Sequence, residues 1–475
     1  LANPSVSNVT TAANGVYTVV VTDANGCSAS SSTTVIIYGT ELYVNDNSRS
    51  GDVYTSAIGN DNNPGTANAP FATIAKAIQV AQTGNTIKVD AGTYAANVTI
   101  GKSINVLGPN YNVSPNTGSR VGEAVLLPAS TNTSSGAVVT ITTGNVQFQG
   151  FTVDGDNPSL ASSGVGLGGS LGTSIDAART IFLNADGITN VNISNNIAKN
   201  AVNGIRIEQT TNYFATTAGA LRSSNSLIDN NKVQDMTGTG IRLGNSMYAK
   251  VSNNTVTNAD NGIAFSSFRI SDAGNASDRV IENNTITSRY TGIWVNLFHG
   301  SPYELKNNTI SVASAATSMA PTPQSRTAWY GIMYSTVSAP QNFTNQVSLP
   351  LVSTPEWWKA TNNAIDGGAL ESTSTGYGYW FYYVDNNRDN NGVDHFGQIS
   401  GGSISNVDVG IMLKNKDADP STNFGNAHIG AHANVSGTSI SLRSGGTGIK
   451  MIDDVAWVTA SVLPLVNKRD VKLGI

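Results

Sequence analysis

The sequence predicts an all-β fold, a parallel β-helix solenoid, from three observations. An Asn pair recurs between residues 191 and 311, at Asn195-Asn196, Asn230-Asn231, Asn253-Asn254, Asn283-Asn284 and Asn307-Asn308. The first four pairs are followed 9, 10, 9 and 9 residues later by a Gly-Ile step, at Gly204, Gly240, Gly262 and Gly292. The runs between these marks alternate apolar and polar over a few residues and are rich in Ile, Val and Thr, which is the pattern of short strands. Successive pairs lie 35, 23, 30 and 24 residues apart while the inner spacing holds. A coil whose turns carry loops of different length produces that combination.

Each element of a turn has a physical requirement. Inward Ile and Val stack in columns, each burial contributing about 1.5–3 kcal/mol. A tight corner needs a residue that tolerates positive φ, and Asn is the best non-glycine candidate. The other Asn of each pair is expected to point inward and bond to the turns above and below. Each such bond nets about 0.5–1.5 kcal/mol, and an unpaired buried amide costs about 1–3 kcal/mol. These ten Asn are therefore assigned to a structural ladder. The Gly before Ile marks the next bend, where a side chain would crowd the coil.

Composition narrows the functional classes. The 475 residues include only 12% charged side chains, 26 basic against 31 acidic. A net charge of −5 offers no electrostatic case for nucleic acid or an anionic membrane. No apolar run reaches the length of a transmembrane helix, so no direct membrane insertion is expected. The single cysteine, Cys27, excludes an internal disulfide framework. Low charge with abundant Asn, Thr, Ser and Gly suits a secreted or cell-surface protein. The chain starts without Met, so it is expected to be a piece of a longer protein whose further domains are its partners.

Residues 1–38 differ from the rest. Two alternating strands, Val16–Thr22 and Thr33–Ile37, are expected around a Gly- and Ser-rich turn. Gly15, Tyr17, Val19, Val21, Asp23, Gly26 and Cys27 resemble the last hairpin of the small immunoglobulin-like repeats in large surface proteins of Bacteroidota, including gliding adhesins. The resemblance implies that 1–38 is the C-terminal part of such a repeat and that 41–475 is the β-helix.

In residues 41–108, Phe71, Ile74, Ala75, Ile78 and Ala81 recur at helical spacing between Pro70 and Gly84. A solenoid exposes the end of its core, and this short helix is assigned the capping role. Strands are expected at Thr86–Val89, Val98–Ile100 and Ile104–Leu107. The motifs Asn63-Pro64-Gly65-Thr66, Pro70-Phe71-Ala72-Thr73-Ile74, Gly84-Asn85-Thr86-Ile87 and Ala91-Gly92-Thr93-Tyr94 resemble the opening of pectin-lyase-like right-handed β-helix proteins. That opening is shared by lyases, esterases, glycosidases and non-enzymes, so it implies a right-handed coil and leaves activity open.

Excursions from the coil are expected at 155–185, 208–224, 266–279 and, largest, 312–400. The last holds four of the six Trp and six of the 16 Tyr. Trp329, Tyr330, Trp357, Trp358, Tyr377, Tyr379, Trp380, Tyr382 and Tyr383, with Arg388, form a candidate ligand-binding set, since flat rings suit the apolar faces of sugars. The same rings would equally serve to pack a long insertion. Asp385, Asn387, Asp389, Asn391 and Asp394 place oxygens at alternate positions around Gly392, like half of a calcium loop, and lack the distal bidentate Glu. Calcium is thus the one candidate cofactor, against a plain solvated turn.

Catalytic sets are less distinct. Arg206, Arg242, Lys250, Arg289, Tyr290 and His299 are candidates for neutralising a uronate or abstracting a proton. Arg206 and Arg242 both follow Gly-Ile and should project outward from one face on nearby turns. Asp154 with Asp156, or Asp453 with Asp454, could form a carboxylate pair. No Ser-His-Asp set stands out, and His428 and His432 have no obvious partner. The expectation is a surface module for adhesion or glycan binding, with a polysaccharide or cell-surface glycan as ligand. A polysaccharide lyase or glycoside hydrolase acting in a groove, and a structural spacer, are the alternatives.

Overall fold

The structure, a computed structural model, describes residues 5–161, 163, 174–208, 225–244, 249–267, 280–297, 304–313, 328–335, 356–382, 396–414, 433–452 and 472–474. From Glu41 onward the chain winds as a coil of parallel strands. A 13-stranded sheet runs from Glu41–Val44 to Lys472–Gly474 and forms the first face. An 18-stranded sheet holds the second and third faces, which merge because strands such as Thr255–Ser267 run around the corner between them. One turn illustrates the rest: Val191–Ser194 on the first face, Ile197–Ala201 on the second and Asn203–Glu208 on the third.

Alternation decides what faces inward. On the first face Ile193, Ile228, Val251, Ile281, Leu305 and Ala360 pair in direct succession. On the second, Ala198, Val233, Val256, Ile286, Ile310 and Ile365 do so. The third face stacks Ile205, Ile241, Ile263, Ile293, Ile332, Tyr379 and Ile411. All of these are buried in one continuous core.

The Asn pairs divide their work as the physical argument required. The first members, Asn195, Asn230, Asn253, Asn283 and Asn307, have φ between 55° and 57° and make the corner. The second members, Asn196, Asn231, Asn254, Asn284 and Asn308, are buried. The Asn254 amide shows the pattern: its Nδ2 donates to Ile228 O at 3.0 Å and to Asn284 Oδ1 at 3.0 Å. Its Oδ1 accepts from Asn231 N at 2.9 Å and Asn231 Nδ2 at 3.0 Å. Asn362-Asn363 adds a sixth rung, with φ 53° at Asn362 and Asn363 Oδ1 accepting from Asn308. The Gly-Ile glycines sit against the next turn: a Cβ on Gly292 would lie 2.5 Å from Gly331 O and collide with Ile310 Cγ2.

Several expectations need correction. Residues 312–400 are not a single insertion. Strands Ala328–Ser335, Glu356–Thr361, Ala364–Asp366, Thr375–Tyr382 and Phe396–Ser400 lie within it and pair with the turns on either side. Likewise Ala177–Asn184, expected inside an excursion, pairs with Asn203–Glu208. The helix spans Ile74–Val80, with Thr73 as N-cap accepting from Lys76 N. Phe71, Ile74, Ala77 and Ala81 are its buried side, whereas Ala75 is exposed. At the N-terminus, Gly15–Thr22 and Ser28–Val35 form an antiparallel hairpin. The Ser run is therefore strand, and the turn is the tighter Asp23–Cys27, where Asp23 Oδ1 accepts from Asn25 N and Cys27 N.

Candidate functional site

The outward side of the third face carries one continuous column of side chains. Direct pairing runs from Phe182 to Arg206, Arg242, Ala264, Trp294, Met333, Trp380, Met412 and Lys450. A neighbouring column places Thr291, Tyr330, Tyr377 and Val409 in register; Thr291 and Val409 are buried, while Tyr330 and Tyr377 stay half-open. Rungs repeat every ~4.8 Å. Arg206 to Trp380 is five steps, so the strip between them is roughly 24 Å long.

Its aromatic half is an interlocked cluster. Tyr330 and Tyr377 stack at 5.3 Å between ring centroids with planes 13° apart. Trp380 meets both edge-on, at 5.0 Å from Tyr330 and 4.5 Å from Tyr377. Tyr290 packs edge-on against Tyr330 at 5.5 Å. All four are half-buried, leaving part of each ring open to solvent. Burial, with Tyr290 and Tyr377 beside it, pushes the Tyr330 phenol up to about 12, so it remains a neutral donor.

The structure splits the ligand-binding set expected from sequence. Tyr330, Tyr377 and Trp380 converge on the strip. Trp329 and Tyr379 are core residues: the Trp329 indole donates to Ser288 Oγ at 3.2 Å, and the Tyr379 hydroxyl accepts from Asn363 Nδ2 at 3.5 Å. For these two the packing role, not surface recognition, is what the geometry gives. Trp357, Trp358 and Tyr382 lie on strands, with their side chains outside the described residues, as are Tyr383 and Arg388. So are Asp385, Asn387, Asp389, Asn391 and Asp394, the calcium candidates, and His299, His428, His432, Asp453 and Asp454. Among the described residues no group of three or more His, Cys, Asp or Glu is arranged to hold a metal.

The cationic half holds Arg179, Arg206 and Arg242. The Arg179 guanidinium lies 4.3 Å from the centre of the Phe182 ring. Arg206 pairs with Glu208 through Nη2 at 2.5 Å. Burial lowers the Arg242 guanidinium below its ordinary value, and neighbouring Arg206 lowers it further. The other candidate cations are engaged. Arg289 bonds Asp260 Oδ1 at 2.9 Å, Asn258 and the Met236 carbonyl, and Lys250 pairs with Glu282 at 2.5 Å. Asp154 pairs with Lys199 at 3.0 Å and accepts from Asn200 Nδ2 at 2.8 Å. Burial raises Asp156, and Asp154 and Asp176 add to that rise.

Sequence reading missed Arg179, Trp294 and two further polar ladders. Asn200, Asp235 and Asn258, five residues after the first Asn of a pair, all have positive φ, and Asn258 Nδ2 donates to Asp235 Oδ1 at 2.8 Å. Asn145, Asn190 and Asn225 form the other, with Asn190 Nδ2 donating to Asn145 Oδ1 at 2.9 Å. The constant five-residue offset was the available signal. Asn362-Asn363 was legible as a pair, but its Gly step, Gly378-Tyr379, comes 16 residues later and substitutes Tyr for Ile.

Two family models match parts of the chain. A model described as right handed beta helix region matches residues 181–335, and one described as a protein of unknown function matches 57–235. The first of these matches and the parallel registers support a right-handed parallel β-helix fold. The search of curated proteins returns no match. A solved rhamnogalacturonan lyase is 14% identical, with a TM-score of 0.44 over 87% of this chain and 85% of the other. The N-terminal fragment of bacteriophage Phi29 gene product 12 is 17% identical, with a TM-score of 0.40 over 79% of this chain and 62% of that one. A pectate lyase is 12% identical, with a TM-score of 0.30 over 87% and 80%.

Proposed function

We propose that this chain is a glycan-binding β-helix module of a secreted or cell-surface protein, with the outward strip of the third face as its binding surface. The carrying observation is the Tyr290–Tyr330–Tyr377–Trp380 cluster, whose rings interlock yet stay half-open on a rigid sheet. Rings fixed by packing lose little freedom on binding and offer flat apolar faces to sugar rings, while phenol and indole N–H groups serve the hydroxyls. The direction of the strip, along the coil axis, suits an extended polysaccharide rather than a compact ligand. The low charge with abundant Asn, Thr, Ser and Gly supports an extracellular setting. The helix Ile74–Val80 is read as the end cap of the core. The hairpin is read as the end of an immunoglobulin-like repeat belonging to a longer adhesin-type chain.

The test is retention on a panel of neutral and acidic polysaccharides, with release of unsaturated or reducing-end products measured in parallel. Binding without turnover, weakened by Trp380→Ala and Tyr377→Ala, is the expected result. Unsaturated products would instead favour a lyase, and reducing-end products without unsaturation would favour the second reading, a hydrolase built on Asp156 as acid beside Asp154. The rise of Asp156 is the observation behind that alternative.

A further inference from the structure

We propose that Arg206 and Arg242, flanked by Arg179, form an anion subsite at one end of the aromatic strip, so that the polysaccharide it binds carries carboxylate or sulfate groups. The proposal rests on the glycan-binding reading and narrows its ligand class.

Arg206 and Arg242 are directly paired on adjacent turns, so their guanidinium groups project side by side from rungs ~4.8 Å apart. Like charges in register on neighbouring strands repel, and a sheet gains nothing structural from them. Three Arg share one described acid, Glu208, which pairs with Arg206. Arg206 Nε and Arg179 Nε are buried without a hydrogen-bond partner, and Arg242 has no hydrogen bond or ion pair among the described residues. Buried N–H groups of this kind are ordinarily satisfied. Phe182 holds the Arg179 guanidinium against its ring, limiting its freedom before any ligand arrives.

The chemistry selects the ligand. A guanidinium presents N–H donors in a planar fork that matches two oxygens of a carboxylate or sulfate, and two stacked forks can engage one group or successive groups of a polymer. Trp294 stands two turns from Arg242 in the same column and Trp380 four turns away. One extended chain can therefore place an anionic substituent on the Arg pair while further residues lie over the rings.

The experiment uses the whole chain with three immobilised probes: polygalacturonate, dextran sulfate and unsubstituted dextran. Wild type should retain at least one charged probe tenfold or more tightly than dextran, with affinity falling as NaCl rises. The relative strength of polygalacturonate and dextran sulfate distinguishes carboxylate from sulfate. Arg206→Gln with Arg242→Gln should lose at least tenfold on the charged probe and flatten the salt dependence. Arg242→Lys should recover only part of it. Lys232→Gln, on the second face, should leave binding unchanged. Arg242→Gln alone, which leaves the Arg206–Glu208 pair intact, should melt at or above the wild-type temperature, because repulsion is removed; a structural role would lower it. Equal retention of dextran and the charged probes, or an unaffected double variant, overturns the proposal while leaving glycan binding standing. An Arg-dependent signal indifferent to Trp380→Ala overturns the aromatic reading instead. No retention of any probe overturns both.

Discussion

Asn254→Leu tests the ladder most directly. The replacement keeps the branched shape and removes four hydrogen bonds, two donated to Ile228 O and Asn284 Oδ1 and two accepted from Asn231. At about 1 kcal/mol each, the lost bonds amount to about 4 kcal/mol. The Asn231 N–H has no other partner in its buried corner, which adds about 1–3 kcal/mol. Burying the apolar Leu atoms returns about 1.5–3 kcal/mol. The net expectation is a loss of about 2–5.5 kcal/mol, toward the upper end for a single substitution. Denaturant titration gives the magnitude, and amide hydrogen exchange should show the loss concentrated at Thr255, Thr285 and their neighbours, since solenoid turns couple mainly to adjacent turns. Asn283→Gly is the control: it keeps the positive-φ corner and should fall within about 0.5 kcal/mol of wild type. Equal effects at Asn254 and Asn283 would refute the division between a corner residue and a buried amide.

Other positions separate packing from recognition. Trp329→Ala should cost about 3–5 kcal/mol in stability, because the indole is buried and its N–H is bonded to Ser288. Trp380→Ala should cost far less stability and weaken glycan retention, so paired melting and binding measurements discriminate the two. Gly292→Ala drives a Cβ into Gly331 O and Ile310 and should destabilise by about 1–3 kcal/mol in a melt. Burial pushes Glu282 up, but its bonds to Lys250 and Lys306 outweigh this and hold its carboxyl below the ordinary value of 4.5. Its contribution to stability is therefore present above pH 4.5 and is lost as the pH falls through the lowered folded-state value. A pH-dependent melt should show a shallower acid limb in Glu282→Gln.

The coil was legible in the sequence because its requirements are local and repeated. A corner that needs positive φ selects Asn, a crowded bend selects Gly, and a strand with one buried face alternates. Asn195 through Asn308 announce turns without any knowledge of what packs on them. The outward pairing of Arg206 with Arg242 followed from the same alternation, since each comes one residue after an inward Ile.

Between residues 312 and 400 these signals weaken. Asn362-Asn363 keeps the pair but lacks the Gly-Ile step at the usual distance, and Tyr379 stands where other turns have Ile, so two turns of coil read as one aromatic loop. Trp329 and Tyr330 are adjacent in sequence and opposite in fate, as are Tyr379 and Trp380. Which ring enters the core depends on register with the preceding turn, a long-range hydrogen-bonding relation that composition does not encode. Only the tertiary structure therefore assembled Tyr290, Tyr330, Tyr377 and Trp380, drawn from three separate turns, into one surface, and set three Arg at its end. The residues determined the scaffold because each turn repeats its local constraint; the site depended on how the turns stack.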